Sequence, residues 1–321
     1  MYQKSFILAL LTLTSFLAQS QTQPTMENDS TTIAFASDTQ APMWVETIIL
    51  KANNNKSATK MIFSEVLKTR PKSLFLLGDV VNLGYSNRQW KPMDKYLQSL
   101  RDQNIEVHAV LGNHEVMGQS RKGQNKFQAR FPDHKRTGYV QIVDSVAVVM
   151  LNSNFTTLSP AEDAEQVEWY KKTLELLDAD SSIDFIITGC HHSPFTNSKI
   201  VGPSTAVQQR FVPPFLQSKK SRLFLSGHCH AFEHYKVQGK DFLVIGGGGG
   251  LHQPLRPNNL EAPDLAPDYK PPFHYLTIKR LNDQLEVTSL QLKKDFSCFE
   301  KGVQFTIDKE ADQAIASQAK H

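Results

Sequence analysis

Ser73-Leu74-Phe75-Leu76-Leu77-Gly78-Asp79-Val80-Val81-Asn82 decides the reading of this chain. An unbroken apolar run ending in Gly-Asp is how a strand buried on both faces looks. The polar residues behind it stand at the strand's carboxyl end, where open α/β sheets bind ligands. The same arrangement recurs along the sequence. Thr31 to Ala36 precedes Ser37-Asp38-Thr39-Gln40, and Glu106 to Leu111 precedes Gly112-Asn113-His114-Glu115. Asp184 to Thr188 leads to His191-His192-Ser193-Pro194, and Arg222 to Ser226 leads to Gly227-His228-Cys229-His230.

Helical spacing fills the gaps in the first half. Met61, Ile62, Val66 and Leu67 give it over 56–69, and a second helix is expected over 87–102. Strand alternating with helix predicts parallel pairing. The second half reads differently. Hairpins are expected for 138–151 around Val143-Asp144, for 234–245 around Gln238-Gly239-Lys240, and for 273–290 around Leu281-Asn282-Asp283. Ser159-Pro160 opens a helix over 160–177, a cap followed by Pro in the first turn. An αβ half followed by a β-rich half implies an α/β fold of two packed sheets with helices outside. The five consecutive glycines Gly246–Gly250 lack the Lys-Ser/Thr of a P-loop and read as a tight loop passing the site.

The five polar clusters deliver carboxylate, carboxamide and imidazole groups, the side chains that bind hard-to-borderline divalent metals. Asp38 and Asp79 offer anionic oxygens, Asn113 a neutral one, and His192, His228 and His230 imidazole nitrogens. In an extended segment the i and i+2 side chains point the same way, so His228 and His230 can serve neighbouring metals. Any one of these residues alone is more often a turn, a cap or a satisfied polar group. Their joint occurrence at strand ends points to a two-metal hydrolytic centre.

The set Gly78-Asp79, Gly112-Asn113-His114-Glu115, His192-Ser193-Pro194 and Gly227-His228-Cys229-His230 resembles the calcineurin-like metallophosphoesterase superfamily over roughly residues 31–290. His192-Ser193-Pro194-Phe195-Thr196-Asn197-Ser198 is closest to its purple-acid-phosphatase-like branch. The resemblance implies a four-layer α/β/β/α sandwich of two mixed sheets with a dinuclear centre at one edge. It implies that Asp79 bridges two divalent metal ions (Mn, Fe, Zn or Mg). Asn113, His192 and His228 would complete the second metal, and Asp38 and His230 the first. His114 would be the catalytic residue at the leaving oxygen. His191 fits the ligand position less well than His192 and is read as a satisfied neighbour. Two departures concern the first metal. Asp38-Thr39-Gln40 stands where many members have Asp-x-His, and Asn82 stands where purple acid phosphatases place a Tyr. Gln40 through its carbonyl oxygen, or Asn82, could fill that gap; Gln40 is favoured. An oxygen-rich first site tilts preference toward Mn, Mg or Fe(II) over Zn.

The activity implied is hydrolysis of a small phosphomonoester or phosphodiester by a metal-activated hydroxide. The alternatives are a nuclease on the same fold and a catalytically weak metal-binding sensor. Lys plus Arg is 35 and Asp plus Glu 32 in 321 residues, a net +3. That near balance speaks against a nucleic-acid partner. Lys4 followed by the apolar run Phe6 to Ala18 and Gln19-Ser20 matches a secretory signal peptide over 1–20, so export to the periplasm or medium is expected. The run falls short of the ~20 residues that span a bilayer, so no membrane partner is expected. A flexible lead-in over 21–30, a catalytic domain over 31–298 and a C-terminal tail over 299–321 complete the expected organisation. Cys190, Cys229 and Cys298 make no disulfide framework and no zinc spacing. Trp44, Tyr85, Trp90 and Phe195 could wall a substrate site, although aromatic residues are more often core.

Overall fold

The computed structural model describes residues 31–257 and 263–309. The expected leader and lead-in lie outside the described residues. In chain order the elements are β1 Thr32–Ala36, α1 Asn55–Thr69, β2 Ser73–Leu76, α2 Asn87–Arg101, β3 Glu106–Ala109, α3 Asn113–Val116 and α4 Ser120–Gln128. Then come β4 Tyr139–Val143, β5 Val146–Met150, α5 Pro160–Ala179, β6 Phe185–Gly189, α6 Thr205–Arg210, α7 Val212–Gln217 and β7 Ser221–Ser226. The chain continues through β8 Phe232–Val237, β9 Lys240–Ile245, β10 His274–Leu281, β11 Gln284–Leu292 and β12 Phe299–Asp308.

These strands form two six-stranded mixed sheets, ordered β12-β11-β10-β1-β2-β3 and β4-β5-β6-β7-β9-β8. β1, β2 and β3 are parallel, as are β5, β6, β7 and β9; hairpin strands close the remaining edges in antiparallel register. Because β2 and β6 are covered on both faces, every residue in each is buried. One apolar layer lies between the sheets, with Phe35, Phe75 and Leu77 facing Val148, Ile187 and Leu225. A second seats α1, α2 and α4 on the outer face of the first sheet through Ile62, Phe63, Trp90, Leu97 and Phe127. A third seats α5 and α7 on the second sheet through Tyr170, Leu174 and Phe215. The result is the four-layer α/β/β/α sandwich.

Local signals agree with this packing. Ser159 caps α5: its hydroxyl accepts from the Glu162 N–H while Glu162 accepts from the Ser159 N–H, and Pro160 takes the first turn. The turn between β4 and β5 falls on Asp144-Ser145, one residue later than expected, because Asp144 is the residue that takes positive φ. Trp90 is fully buried in the α2 layer and is no part of a substrate wall. Among the described residues no helix is long and apolar enough to cross a membrane.

One boundary differs from the expectation. Residues 299–308 are not tail but β12, paired with β11 from Leu292↔Phe299 to Gln284↔Asp308. The strand hides in sequence because its alternating apolar residues, Val303, Phe305 and Ile307, are diluted by Lys301, Gly302 and Gln304. It covers an edge that would otherwise expose β11, and it lays Phe305 on the His234 ring, 4.5 Å between centroids. Ending the chain after Cys298 is therefore expected to cost about 2 kcal/mol or more from lost apolar burial alone. Thermal unfolding should show a Tm lower by about 5 °C or more; an unchanged Tm would show that β12 is dispensable.

Candidate metal centre

All five polar clusters meet at one edge of the sandwich, beyond the carboxyl ends of β1, β2, β3, β6 and β7. The turns that bring them there are backbone-strained. Asp38 (φ 58°), Asp79 (φ 49°) and His228 (φ 66°) all occupy the left-handed region. Such residues cost ~1–3 kcal/mol each and collect at functional sites. Gly112 permits a close approach: a Cβ there would collide with the Asp79 carboxylate and main-chain nitrogen.

A residue absent from the sequence-derived set holds this arrangement. Glu115 is completely buried and accepts the N–H groups of Gly112 (2.8 Å), Asp79 (2.9 Å) and Val81 (3.0 Å). It ties the turn after β2 to the turn after β3. Burial and the neighbouring Asp79 charge push its carboxyl up, while the N–H donors of Val81 and Gly112 pull it back. Its only sequence signal is its place as the acid of Gly112-Asn113-His114-Glu115.

Asp79 lies at the middle of the site. Its Oδ1 accepts the His114 N–H at 2.8 Å, and its Oδ2 is 3.3 Å from His191 Nε2 and 3.8 Å from His114 Nε2. His191, read from sequence as a satisfied neighbour, has partners on both ring nitrogens and also stands among the candidate metal donors. Its Nε2 is also 3.0 Å from Asn113 Oδ1, and its ring is fully buried. Its Nδ1 lies 2.9 Å from the Leu77 carbonyl, which can only accept, so Nδ1 carries a proton and Nε2 faces the site. Metal-ligating histidines are commonly oriented this way. His192 instead sets Nδ1 2.9 Å from the Ser153 hydroxyl, which can take either role. The His191, His192 and His228 rings pack with centroids 4.6 to 5.1 Å apart.

On the other side, Asp38 accepts the His228 N–H at 3.0 Å and lies 3.3 Å from His230 Nε2, while His230 Nδ1 donates to the Leu251 carbonyl at 2.8 Å. The Gln40 amide nitrogen is placed to donate to the main-chain oxygens of Asp79 (2.8 Å) and Asp38 (3.0 Å). That turns its oxygen toward His230 Nε2, 3.4 Å away. Asn82 is placed differently. Its main-chain oxygen accepts from His114 Nδ1 (3.1 Å), and its side-chain oxygen is buried without a partner among the described residues. The glycine run passes behind, with Gly248 and Gly250 donating N–H groups to the Ser37 and Asp38 carbonyls.

Whether these residues suit a cation pair can be tested on charge. Among the described residues, the ion-pair partners of Asp38 and Asp79 are histidines only. Burial opposes charge on both Asp79 and His191, but their mutual attraction wins. Asp79 is held well below the usual carboxylate range and His191 is pushed up to about 9. That proton stands where a cation would. Burial, with the His191 charge next, pushes His192 and His228 down to about 3, leaving both imidazoles neutral with lone pairs available. Two compact donor groups result, Asp38, Asp79 and His191, and His191, His192 and His228. Carboxylates, amide oxygens and neutral imidazoles crowded around positions where, among the described residues, the organic cations are histidines are the chemistry of a divalent pair. Cys190 and Cys229 are buried free thiols, and burial pushes both far above the usual thiol range. They are inert packing beside the site.

A two-sheet sandwich with such a site at the strand ends defines the metallophosphoesterase class of fold. The sequence matches the calcineurin-like phosphoesterase family over residues 31–232, and the chain belongs to that family. Among solved structures, purple acid phosphatase PPD1 from yellow lupin (Lupinus luteus) seeds is similar with TM-score 0.66 at 14% identity, covering 88% of this chain and 54% of that one. This chain thus spans about half the length of that relative. GAP50, "the anchor in the inner membrane complex of Plasmodium", gives TM-score 0.64 at 14% identity over 87% of this chain and 89% of its own. A dimetal phosphatase from Danio rerio gives 0.53 at 12% over 88% and 99%. At these identities the likeness is one of fold. No curated protein matches the chain in sequence.

The contact between Gly112 and Asp79 yields a direct check. Gly112→Ala forces the Asp79 carboxylate aside. Divalent metal retained through purification, measured by elemental analysis, is expected to fall by about half or more, with the far-UV circular dichroism retained. Full metal content in this variant would show that Asp79 has room to spare.

Proposed function

We propose that this protein is an exported, metal-dependent phosphoric ester hydrolase acting on a small phosphomonoester or phosphodiester. The observation that carries the reading is the convergence of Asp38, Asp79, Asn113, His191, His192, His228 and His230 on one buried edge where, among the described residues, the organic counter-charges are histidines. Two divalent cations bound there would polarise the phosphoryl oxygens and acidify water at neutral pH.

The chain's own residues take the following parts. Asp79, central to the site, would serve both metals. Asn113 with His228 and the His191-His192 pair serves the second. Asp38 and His230 would serve the first, joined by the Gln40 oxygen rather than by Asn82, a residue that lines the neighbouring cleft. An oxygen in place of an imidazole makes this first site harder, which favours Mn, Mg or Fe(II) there. His114 is the proton donor to the leaving oxygen. Because Nδ1 is committed to the Asn82 carbonyl, donation comes from Nε2 and requires the imidazolium form.

Asp79→Ala and His228→Ala are each expected to lower metal-dependent hydrolysis of an aryl phosphate by at least ~100-fold, the scale of losing a main electrostatic contributor. Chelation should do the same to the unmodified protein, with recovery on adding Mn. Full activity in either variant would refute the proposal. Elemental analysis of His191→Ala and His192→Ala in the same series separates their shares, with the larger metal loss expected at His191.

A second reading has one observation behind it: a similarly folded protein is described as an anchor, and Gln40 weakens the first site. Two bound metals without turnover on any ester would favour it. Export is supported by the Lys4 and Phe6 to Ala18 pattern. Amino-terminal sequencing of the protein recovered from outside the cytoplasm is expected to begin near Gln21; a chain starting at Met1 would contradict export.

A further inference from the structure

A cleft of about 710 Å³ adjoins the metal centre between the 41–45 segment and the first turns of α1 and α2. Its walls are largely apolar, with Met43, Trp44, Val81 and Met93 among them. It begins on one side of the site only. Thr39 and Val80, both lining it, directly follow Asp38 and Asp79. Asn82 lines it and holds the His114 ring through its main-chain oxygen. Glu46, next to the cleft residue Val45, brings Oε1 to 3.9 Å from His114 Nε2. The cleft therefore opens on the His114 side, where a leaving alcohol would depart.

Three features indicate an occupant. Trp44 is 78% exposed, and Ile48 and Ile49 on the same turn are 70% and 77% exposed. A large apolar side chain left in water beside an apolar cleft is a characteristic of a binding rim. The Asn82 side-chain oxygen, in a cleft-lining residue only 6% exposed, is buried without a partner among the described residues. A buried acceptor in that condition costs ~1–3 kcal/mol until a donor reaches it. Finally, Lys56 and Arg88 line the cleft from the second positions of α1 and α2, and neither has an ion pair among those found in the described residues. They complement an anionic ester. Apolar walls with a few placed polar groups are the usual make-up of a small-molecule site.

We propose that this cleft receives the alcohol part of the phosphoester, and that the preferred substrates are esters of a bulky, mainly apolar alcohol bearing a hydrogen-bond donor. Trp44 forms the outer wall, the Asn82 oxygen accepts from the donor, and Lys56 and Arg88 attract the anion. This rests on the phosphoesterase reading above and adds the substrate class to it.

The test uses the full metal-loaded chain and two aryl phosphates of matched leaving-group acidity, phenyl and naphthyl. The kcat/KM for the naphthyl ester is expected to be higher by about tenfold, the scale of burying one more ring. In Trp44→Ala and in Met43→Ser that ratio should collapse toward one. Calorimetry with a naphthyl and a methyl phosphonate gives the same comparison without turnover, so failure of catalysis and failure of the cleft are told apart. Tighter binding of the naphthyl phosphonate that is lost in Trp44→Ala supports the cleft even in a protein that hydrolyses nothing. Equal binding and equal kcat/KM for large and small compounds would overturn the proposal, and so would a preference that survives both substitutions.

Discussion

The buried carboxylate of Glu115 is the contact on which the site depends. Two strand-end turns, after β2 and after β3, would otherwise present their N–H groups to one another across the position of Asp79. Glu115 accepts three of them at 2.8 to 3.0 Å. Hydrogen bonds to a charged group contribute ~1.5–3 kcal/mol each, and a buried donor left alone costs a similar amount. The clamp therefore fixes the main chain of Asp79 and Gly112 together. Asp79 can then direct Oδ1 at the His114 N–H and Oδ2 at His191. Substituting Glu115 would leave three buried donors without an acceptor, so its loss acts on the fold and the site together.

The rigidity so obtained holds an arrangement that is locally unfavourable. Three of the residues that bear ligand-type side chains sit at positive φ. Carboxylates, an amide oxygen and several imidazoles face one another at 3.0 to 3.4 Å, with the His191 proton holding the place of a cation beside Asp79. Only the core on either side can hold such a group in place. The strands delivering these residues lie in the layer between the two sheets and in the layers under the helices. Packing stability is spent at one edge to keep acceptors crowded, and a cation relieves the crowding.

Much of this was legible in the chain because buried parallel strands write themselves as apolar runs. Ser73 to Leu77 and Asp184 to Thr188 could hardly be anything else, and each announced a polar cluster at its end. The α5 cap was equally plain in Ser159-Pro160-Ala161-Glu162. What escaped has physical reasons. His191 and His192 are adjacent, and sequence order cannot say that both rings reach the group with His228, or that the Leu77 carbonyl, far away in sequence, holds the His191 ring. Glu115 acts through main-chain groups, which carry no residue signature. β12 alternates only over Val303, Phe305 and Ile307, because Lys301 and Gly302 interrupt the pattern at its start. Trp90 looked like a candidate wall, yet its indole N–H donates to the Gly84 carbonyl at 2.7 Å and its ring is core.

The irregular first cluster takes on a wider meaning once the cleft is considered with it. Asp38, Gln40, Trp44 and Glu46 occupy one short segment between β1 and α1. Its near end offers Asp38 and the Gln40 oxygen to the first metal position, its middle supplies the exposed Trp44, and Glu46 returns to within 3.9 Å of His114 Nε2. Thr59 of α1 pins the segment by donating to the Thr39 carbonyl at 3.2 Å, with the Gly248 carbonyl at 3.1 Å as a second acceptor. Imidazole in place of Gln40 would bind a metal more firmly but would not join the backbone of Asp38 to that of Asp79, because it lacks an amide nitrogen to donate to both carbonyls. The glutamine instead links the main chains of Asp38 and Asp79 directly beside the cleft residues Thr39 and Val80.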